Sequence, residues 1–360
     1  MLRYGRQTRP TQHLRHIYSQ RIEQTQTSAA FDTRPANLYN SAGLTAGSLS
    51  VILTVTPNAS IDKTYVVEGF GVDRMHRPSE WQSTSGGKGI NVLRVYRELG
   101  GTGVATGFAG GRVGDAIVEG LTAEGIRHDL IRVRGESRLC IKIVDPRSGT
   151  QTEVNEMGPA ISADEVERLM AKIGELIVGM EYVVLCGNVP PGIPISFYGD
   201  IVKLAKSRGI KAVLDASEEQ LKDAIKVGPY MVKPNVAELS QLADQELVTL
   251  EEICGAAKSL KQYGVGIAGV TMGRSGAVVT DGVRAWQATP PEIEFASAVG
   301  SGDSFVAGFL YALGSGGSLA EALALGTAAG AANATTYGAG FCSKSSIMDV
   351  KRGVSLVEIS

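Results

Sequence analysis

Histidine is scarce in this 360-residue chain: there are four, His13, His16, His76 and His128. Imidazole acid–base chemistry or a histidine-rich metal centre would have little to work with. Cysteine is equally rare, and Cys140, Cys186, Cys254 and Cys342 form no C-x-x-C pair. That spacing argues against a zinc site or a disulfide framework and fits a reducing, cytoplasmic compartment. No run of about 18 apolar residues occurs, so no membrane partner is expected. A net charge of −2 leaves no basic excess for nucleic acid. Glycine, by contrast, is abundant at 45 residues, gathered at strand-to-helix junctions and not in a repeat. With 43% hydrophobic and 20% charged residues, this suits an α/β protein whose loops approach ligands closely.

Residues 1–49 stand apart, with six arginines against Glu23 and Asp32 and no apolar core of a secretory signal. They read as a disordered tail or a start assigned too far upstream, in preference to an organelle-targeting leader, which the composition also permits. From Val51 onward, short apolar strands alternate with amphipathic helices. The strands are expected at 51–55, 104–108, 182–186, 211–215, 230–233 and 266–271. The helices are expected at 91–99, 114–124, 163–177, 195–207 and 250–263. The alternation predicts a mostly parallel sheet covered on both faces, one domain over 50–360. Segments 64–85 and 138–156 break the rhythm with polar–apolar alternation and read as antiparallel strands of a lid.

Three glycine-bearing turns and one turn at Lys233-Pro234-Asn235 are the candidate sites. In Gly300-Ser301-Gly302-Asp303 a turn runs into an apolar helix opening at Asp303. Free backbone N–H groups and the helix dipole make an anion site there. A carboxylate beside an anion is explained if it takes the proton of a hydroxyl attacking a phosphoryl group, although a helix-capping Asp is an equally good local reading. Gly86-Gly87-Lys88-Gly89 with Asn91 is not a Walker A loop, because Gly follows the Lys. It brings backbone N–H groups and Asn91 toward sugar hydroxyls, or else packs a helix tightly on the sheet. Asn235 and Glu238 share one helical face, suited to water-coordinated Mg²⁺ beside a nucleotide phosphate or, on local grounds the better reading, to a capping box. The Thr271-Met272-Gly273-Arg274-Ser275-Gly276 stretch permits close approach of a nucleotide or a simple hairpin. Gly107 to Asp115 lacks G-x-G-x-x-G spacing and reads as a packing turn.

Taken in order, these stretches resemble the ribokinase-like (PfkB) carbohydrate kinases over about residues 51–350. Asn58-Ala59-Ser60-Ile61-Asp62 is similar to the family's opening sugar motif, Gly86 to Val92 to its glycine motif, Lys233-Pro234-Asn235 with Glu238 to K-P-N-x-x-E, and Gly300 to Asp303 to G-x-G-D. The GGKGIN form, Gly135 to Arg138 and Thr152 to Glu156 place the likeness in the hexose-phosphate branch, with 1-phosphofructokinase and tagatose-6-phosphate kinase. The resemblance implies a three-layer α/β sandwich with a small β lid and Mg²⁺-ATP-dependent phosphorylation of a hexose phosphate, for example fructose 1-phosphate to fructose 1,6-bisphosphate. It implies Asp303 as base and the N–H groups of Gly300, Ser301, Gly302 and Asp303 as anion hole. It places Asp62, Gly86, Gly87, Lys88 and Asn91 on the sugar and Arg138 on its phosphate, a match for a guanidinium fork. It places Lys233, Asn235, Thr271, Gly273 and Gly276 on the nucleotide, Asn235 and Glu238 on Mg²⁺ through water, and a homodimer across the lid strands.

The chain departs from the family pattern at Ala59, where Pro is usual, at Gly187-Asn188-Val189-Pro190, and at Asp215-Ala216-Ser217-Glu218, where Glu replaces Gly. These departures bear on the substrate side. A simple-sugar or nucleoside kinase of the same fold is the alternative enzyme, and a sugar-phosphate-binding regulator the non-catalytic one; an intact Asp303 speaks against the latter.

Overall fold

The computed structural model describes residues 50–359, so the Arg-rich segment 1–49 lies outside the described residues. The frame is a ten-stranded sheet in the order β14-β13-β12-β11-β10-β9-β8-β1-β4-β5. Its parallel part comprises β1 (Val51–Thr56), β4 (Thr102–Gly110), β5 (His128–Val133), β8 (Tyr182–Cys186), β9 (Lys211–Asp215), β10 (Met231–Val232) and β11 (Ile267–Thr271). An antiparallel edge follows, β12 (Ala277–Thr280), β13 (Ala285–Thr289) and β14 (Ser355–Ile359).

Each central strand serves two cores because its side chains alternate. Tyr182 and Val184 of β8 enter one cluster, with α1 (Lys88–Leu99), α2 (Gly111–Ala123), α8 (Ser301–Gly314), α9 (Leu319–Asn333) and α10 (Lys344–Arg352). Val183 and Leu185 enter the other, with α3 (Ala163–Leu176), α4 (Phe197–Ser207), α5 (Glu218–Ala224), α6 (Val236–Ala243) and α7 (Leu250–Ser259). This is the expected three-layer sandwich, and continuous apolar runs such as Tyr182–Cys186 are the mark of strands buried on both faces.

The order reverses between β1 and β8, for the chain leaves β1 toward β4 and β5 and later returns to lay β8 to β11 on the other side. A crevice outside the carboxyl ends of the strands forms at such a point. Over it stands a four-stranded sheet, β3-β2-β6-β7, made of β2 (Ser60–Val66), β3 (Glu80–Gly86), β6 (Arg138–Asp145) and β7 (Thr150–Asn155). The lid was expected to be antiparallel throughout and to begin at residue 64. Instead β2 begins at Ser60 and pairs in parallel with β6, Asp62 opposite Cys140, while β3 and β7 are antiparallel. The parallel pair arises because β2 and β6 each rise out of the carboxyl edge of the main sheet, after β1 and β5 respectively.

Two helix starts also shift. Helix α1 begins at Lys88, not Asn91, because Gly87 at φ 119° turns the chain directly into it. Helix α8 begins at Ser301 with Gly300 as its N-cap at φ 81°, which places Asp303 in the first turn and excludes the capping-Asp reading. Gly107 is a packing position as expected, since a Cβ there would fall 2.0 Å from the Thr56 carbonyl oxygen.

Candidate active site

A cavity of about 1190 Å³ occupies the crevice between lid and sheet. It gathers residues from the whole length of the chain: Asp62, Gly87, Lys88, Asn91, Arg138, Lys233, Asn235, Glu238, Thr271, Gly273, Gly276, Gly300, Ser301, Gly302 and Asp303 all line it. Gly86 does not. It stands behind Asp62, where a Cβ would meet the Asp62 carboxylate at 2.4 Å, so its part is to leave room for that side chain.

Asp303 sits at the centre and is buried, 5% exposed. Asn91 Nδ2 donates to its Oδ2 at 2.9 Å. Burial disfavours its charge, and Asp215 adds repulsion. Lys88, Asn91 and Lys233 oppose both, and the net effect pushes its carboxyl up to about 6. Around it the Gly302 and Asp303 N–H groups have no carbonyl to bond, as expected in a first helical turn, whereas the Ser301 N–H, also expected in the anion hole, donates to the Ala298 carbonyl at 3.2 Å. Gly300 is required twice over: by its positive φ, and because a Cβ would come 2.6 Å from Ala339 Cα. Lys233 reaches over this turn, its Nζ 3.4 Å from where a Gly302 Cβ would lie. A polarised helix terminus, an ammonium and a carboxylate of raised affinity for protons therefore face one volume.

Beneath them lies a group absent from the expected site, Asp215 at the end of β9. It is fully buried, and its Oδ1 accepts from Lys233 at 3.1 Å and Lys88 at 3.3 Å. Burial would raise its pKa, but the two ammoniums outweigh burial and hold the carboxyl below the usual range. In return Asp215 is the main reason the Lys88 ammonium binds its proton more tightly than usual.

The lid supplies the other half. Arg138, which lines the cavity, donates Nε to the Asn58 carbonyl at 3.1 Å and Nη1 to the Glu156 carbonyl at 3.3 Å. Lys142, also unexpected, is buried and pairs with Asp62 at 3.2 Å. Strand alternation explains the set: Arg138, Cys140 and Lys142 share the inner face of β6, with Asp62 on the inner face of β2. The two departing stretches meet through Ser217, whose Oγ donates to Oδ1 of the departing Asn188 at 2.5 Å, outside the cavity lining. Glu218, in the place of a Gly, retains a left-handed φ of 54°.

Elsewhere in the lining, Asn235 and Glu238 do form a capping box, Glu238 N donating to Asn235 Oδ1 at 2.9 Å and Asn235 N to Glu238 Oε2 at 2.8 Å. That leaves the Asn235 NH₂ and Glu238 Oε1 for the cavity. Thr271 to Gly276 forms the hairpin from β11 to β12, and Thr271, Gly273, Arg274 and Gly276 line the cavity.

A family model described as pfkB family carbohydrate kinase matches residues 54–346. The chain belongs to that family. Its members are phosphotransferases with an alcohol group as acceptor, and ATP is their co-substrate. The chain is 33% identical over 312 residues to the tagatose-6-phosphate kinase of Staphylococcus epidermidis, covering 86% of this chain and 100% of that one. It is 36% identical over 278 residues to the 1-phosphofructokinase of Rhodobacter capsulatus, covering 77% and 88%. Phosphofructokinase-2 from Escherichia coli, solved with substrates and products, superposes at a TM-score of 0.80 with 29% identity over 84% of this chain and 98% of that one. As a pfkB carbohydrate kinase the protein has no helix, among the described residues, long and apolar enough to cross a membrane.

Proposed function

We propose that this kinase transfers the γ-phosphoryl group of ATP to a hydroxyl of a hexose phosphate, giving the bisphosphate. The observation that carries the reading is the position of Asp303, buried between a sugar half rich in hydroxyl partners and a nucleotide half built of N–H donors. Asp303 takes the hydroxyl proton as the oxygen attacks. The Gly302 and Asp303 N–H groups with Lys233 stabilise charge spreading over the transferring phosphoryl oxygens. Asp62, Gly87, Lys88 and Asn91 hold the sugar; Asn235, Thr271, Gly273 and Gly276 face the nucleotide.

Mg²⁺ is part of this reading. The donor set suits it: no group of three or more His, Cys, Asp or Glu among the described residues forms a cage. Mg²⁺ keeps most of its waters and is held chiefly by substrate phosphates and one or two carboxylates. Glu238 Oε1 is the oxygen placed to meet such a hydrated ion, which would neutralise phosphate charge. Turnover with fructose 1-phosphate, fructose 6-phosphate and tagatose 6-phosphate, followed by ADP release, tests the substrate. Faster turnover with an unphosphorylated sugar than with all three would overturn the reading.

Arg138 is assigned to the phosphate already on the sugar. Its guanidinium is aimed by two carbonyls, and Lys142 is neutralised by Asp62, so loss of Arg138 leaves no equivalent cation on the lid's inner face. Arg138→Ala should raise KM for the sugar phosphate about 10–100-fold, the worth of a charge-assisted hydrogen bond, with KM for ATP near its original value. Equal rises in both constants would refute the assignment.

We also assign the homodimer contact to the lid's outer face. There one cross-strand row holds Trp81, Tyr65 and Ile143, and the next holds Ile141 and Val154 beside Lys63, with Trp81 69% and Val154 58% exposed. Apolar sheet faces of this kind mark association surfaces. Trp81→Glu should shift the protein from dimer to monomer in sedimentation at micromolar concentration; an unchanged sedimentation coefficient would argue against this face.

A further inference from the structure

Arg94 lies outside the cavity, yet all five of its N–H donors are used. Nε and Nη2 form a fork on the Glu124 carboxylate at 2.6 and 3.1 Å. Nη2 also donates to the Ser85 carbonyl of β3 at 2.7 Å, and Nη1 to the Ala339 carbonyl at 3.2 Å. The last bond runs from Nη1 to Asn91 Oδ1 at 2.9 Å. The Phe341 ring covers the guanidinium, its centroid 4.6 Å from Cζ. Arg94 is 8% exposed and Asn91 5% exposed.

The consequence lies in the chemistry of an amide. Asn91 has one acceptor end and one donor end, and rotation by 180° about χ2 exchanges them. A guanidinium can only donate, so it selects the acceptor end, and the NH₂ is left pointing at Asp303 Oδ2. Resting on the proposed kinase function, we propose that Arg94 is a positioning residue for phosphoryl transfer: it locks the Asn91 amide so that a donor, and not an acceptor, faces the Asp303 carboxylate. With the amide turned over, Asn91 Oδ1 would face Asp303 and favour the protonated acid, which cannot take a proton from the sugar.

The groups that face Asp303 are Lys88 and Asn91 from α1, Cys186 from β8, Asp215 from β9 and Lys233 after β10. None of these changes in Arg94→Lys, and the charge at position 94 is kept. What is lost is the fixed fork that spans Glu124 and Asn91.

The test is a titration of ¹³Cγ-aspartate-labelled protein by NMR, the Asp303 signal being the one missing from Asp303→Asn. Arg94→Lys should raise the Asp303 midpoint by about 0.5–1 pH unit, the worth of one hydrogen bond gained or lost by the charged form. In the wild-type protein the Asn91 side-chain NH₂ signals should titrate with the same midpoint. In turnover, the loss caused by Arg94→Lys should deepen from about 1.2–2-fold near pH 7 to about 2–5-fold near pH 6 and close toward pH 8.5, where both enzymes are ionised. An unchanged Asp303 midpoint, or Asn91 NH₂ signals in the wild-type protein indifferent to Asp303, overturns the proposal. So does a pH-independent loss of activity, which would mark Arg94 as structural only. The NMR readings need no turnover, so a protein inactive on every sugar phosphate would remove the kinase reading while the lock of Arg94 on the Asn91 amide would still be tested by the two titrations.

Discussion

Asp303→Asn should lower kcat by about 10²–10⁴ while Mg-ATP binding stays near its original strength. The substitution keeps the shape and an acceptor for the Asn91 NH₂, and removes the negative charge and with it the ability to take a proton. Near-normal kcat would show that Asp303 is not the base. The same variant carries a second, independent expectation about stability. Burial lifts the Asp303 pKa to about 6 in the folded chain, above the usual carboxylate value of about 3.9. Between those two values the folded state binds more protons than the unfolded one, so stability falls as pH rises through this window. At pH 7.5 the charged Asp303 thus costs the fold on the order of 2–3 kcal/mol, at about 1.4 kcal/mol per pKa unit. Asn carries no such cost. In urea unfolding without ligand, Asp303→Asn should be more stable than wild type at pH 7.5, with the difference closing by about pH 4. A catalytic acid held at the expense of stability behaves this way. A less stable variant at pH 7.5 would mean the carboxylate is better solvated than its burial indicates.

The parts of this molecule legible in its sequence are those where one local rule decides. Short apolar runs such as Tyr182–Cys186 and Ala212–Leu214, bounded by turn residues, read as strands buried on both faces, and the structure has strands at Tyr182–Cys186 and Lys211–Asp215. The glycine turns showed themselves because positive φ and close approach admit little else. The edge strands did not. All of Ser355–Ile359 is partly or fully exposed, and it is a strand only because it pairs with β13. Helix α9 likewise is small and apolar on all sides, Leu-Ala-Glu-Ala-Leu-Ala-Leu-Gly, and carries no periodicity to read. In the site, Asp215 stood in a stretch remarked on only for its departure from a family pattern. Its importance comes from three strand ends and a helix meeting, which brings Lys88 and Lys233 to one oxygen from positions 127 and 18 residues away in sequence. Lys142 was hidden in an alternating strand whose inner face could be known only from the register with β2. Local spacing marks what the backbone must do, while convergence of charges belongs to topology.

Asp215→Ala should cost the fold about 3–5 kcal/mol, the usual loss when one partner of a buried ion pair is removed. Most of that loss falls on Lys233, whose side chain is 5% exposed, because Lys88 at 40% can regain water. The wild-type contribution has the opposite pH sign to that of Asp303. The Asp215 carboxyl is held below its usual range in the folded chain, so its stabilisation is present above about pH 3.9 and fades as pH falls through the folded value. Catalysis should change as well, and in a diagnostic direction. Without Asp215 its repulsion on Asp303 disappears and the two ammoniums turn wholly toward Asp303. The Asp303 carboxyl then drops below about 6, and the acid limb of the kcat/KM profile moves to lower pH. Phosphates can replace the missing carboxylate between Lys88 and Lys233, so saturating Mg-ATP should recover more stability in Asp215→Ala than it adds to wild type. Unfolding within about 1 kcal/mol of wild type would show that Lys233 finds its neutralisation elsewhere, which Asp303, already attracted to Lys233, can supply.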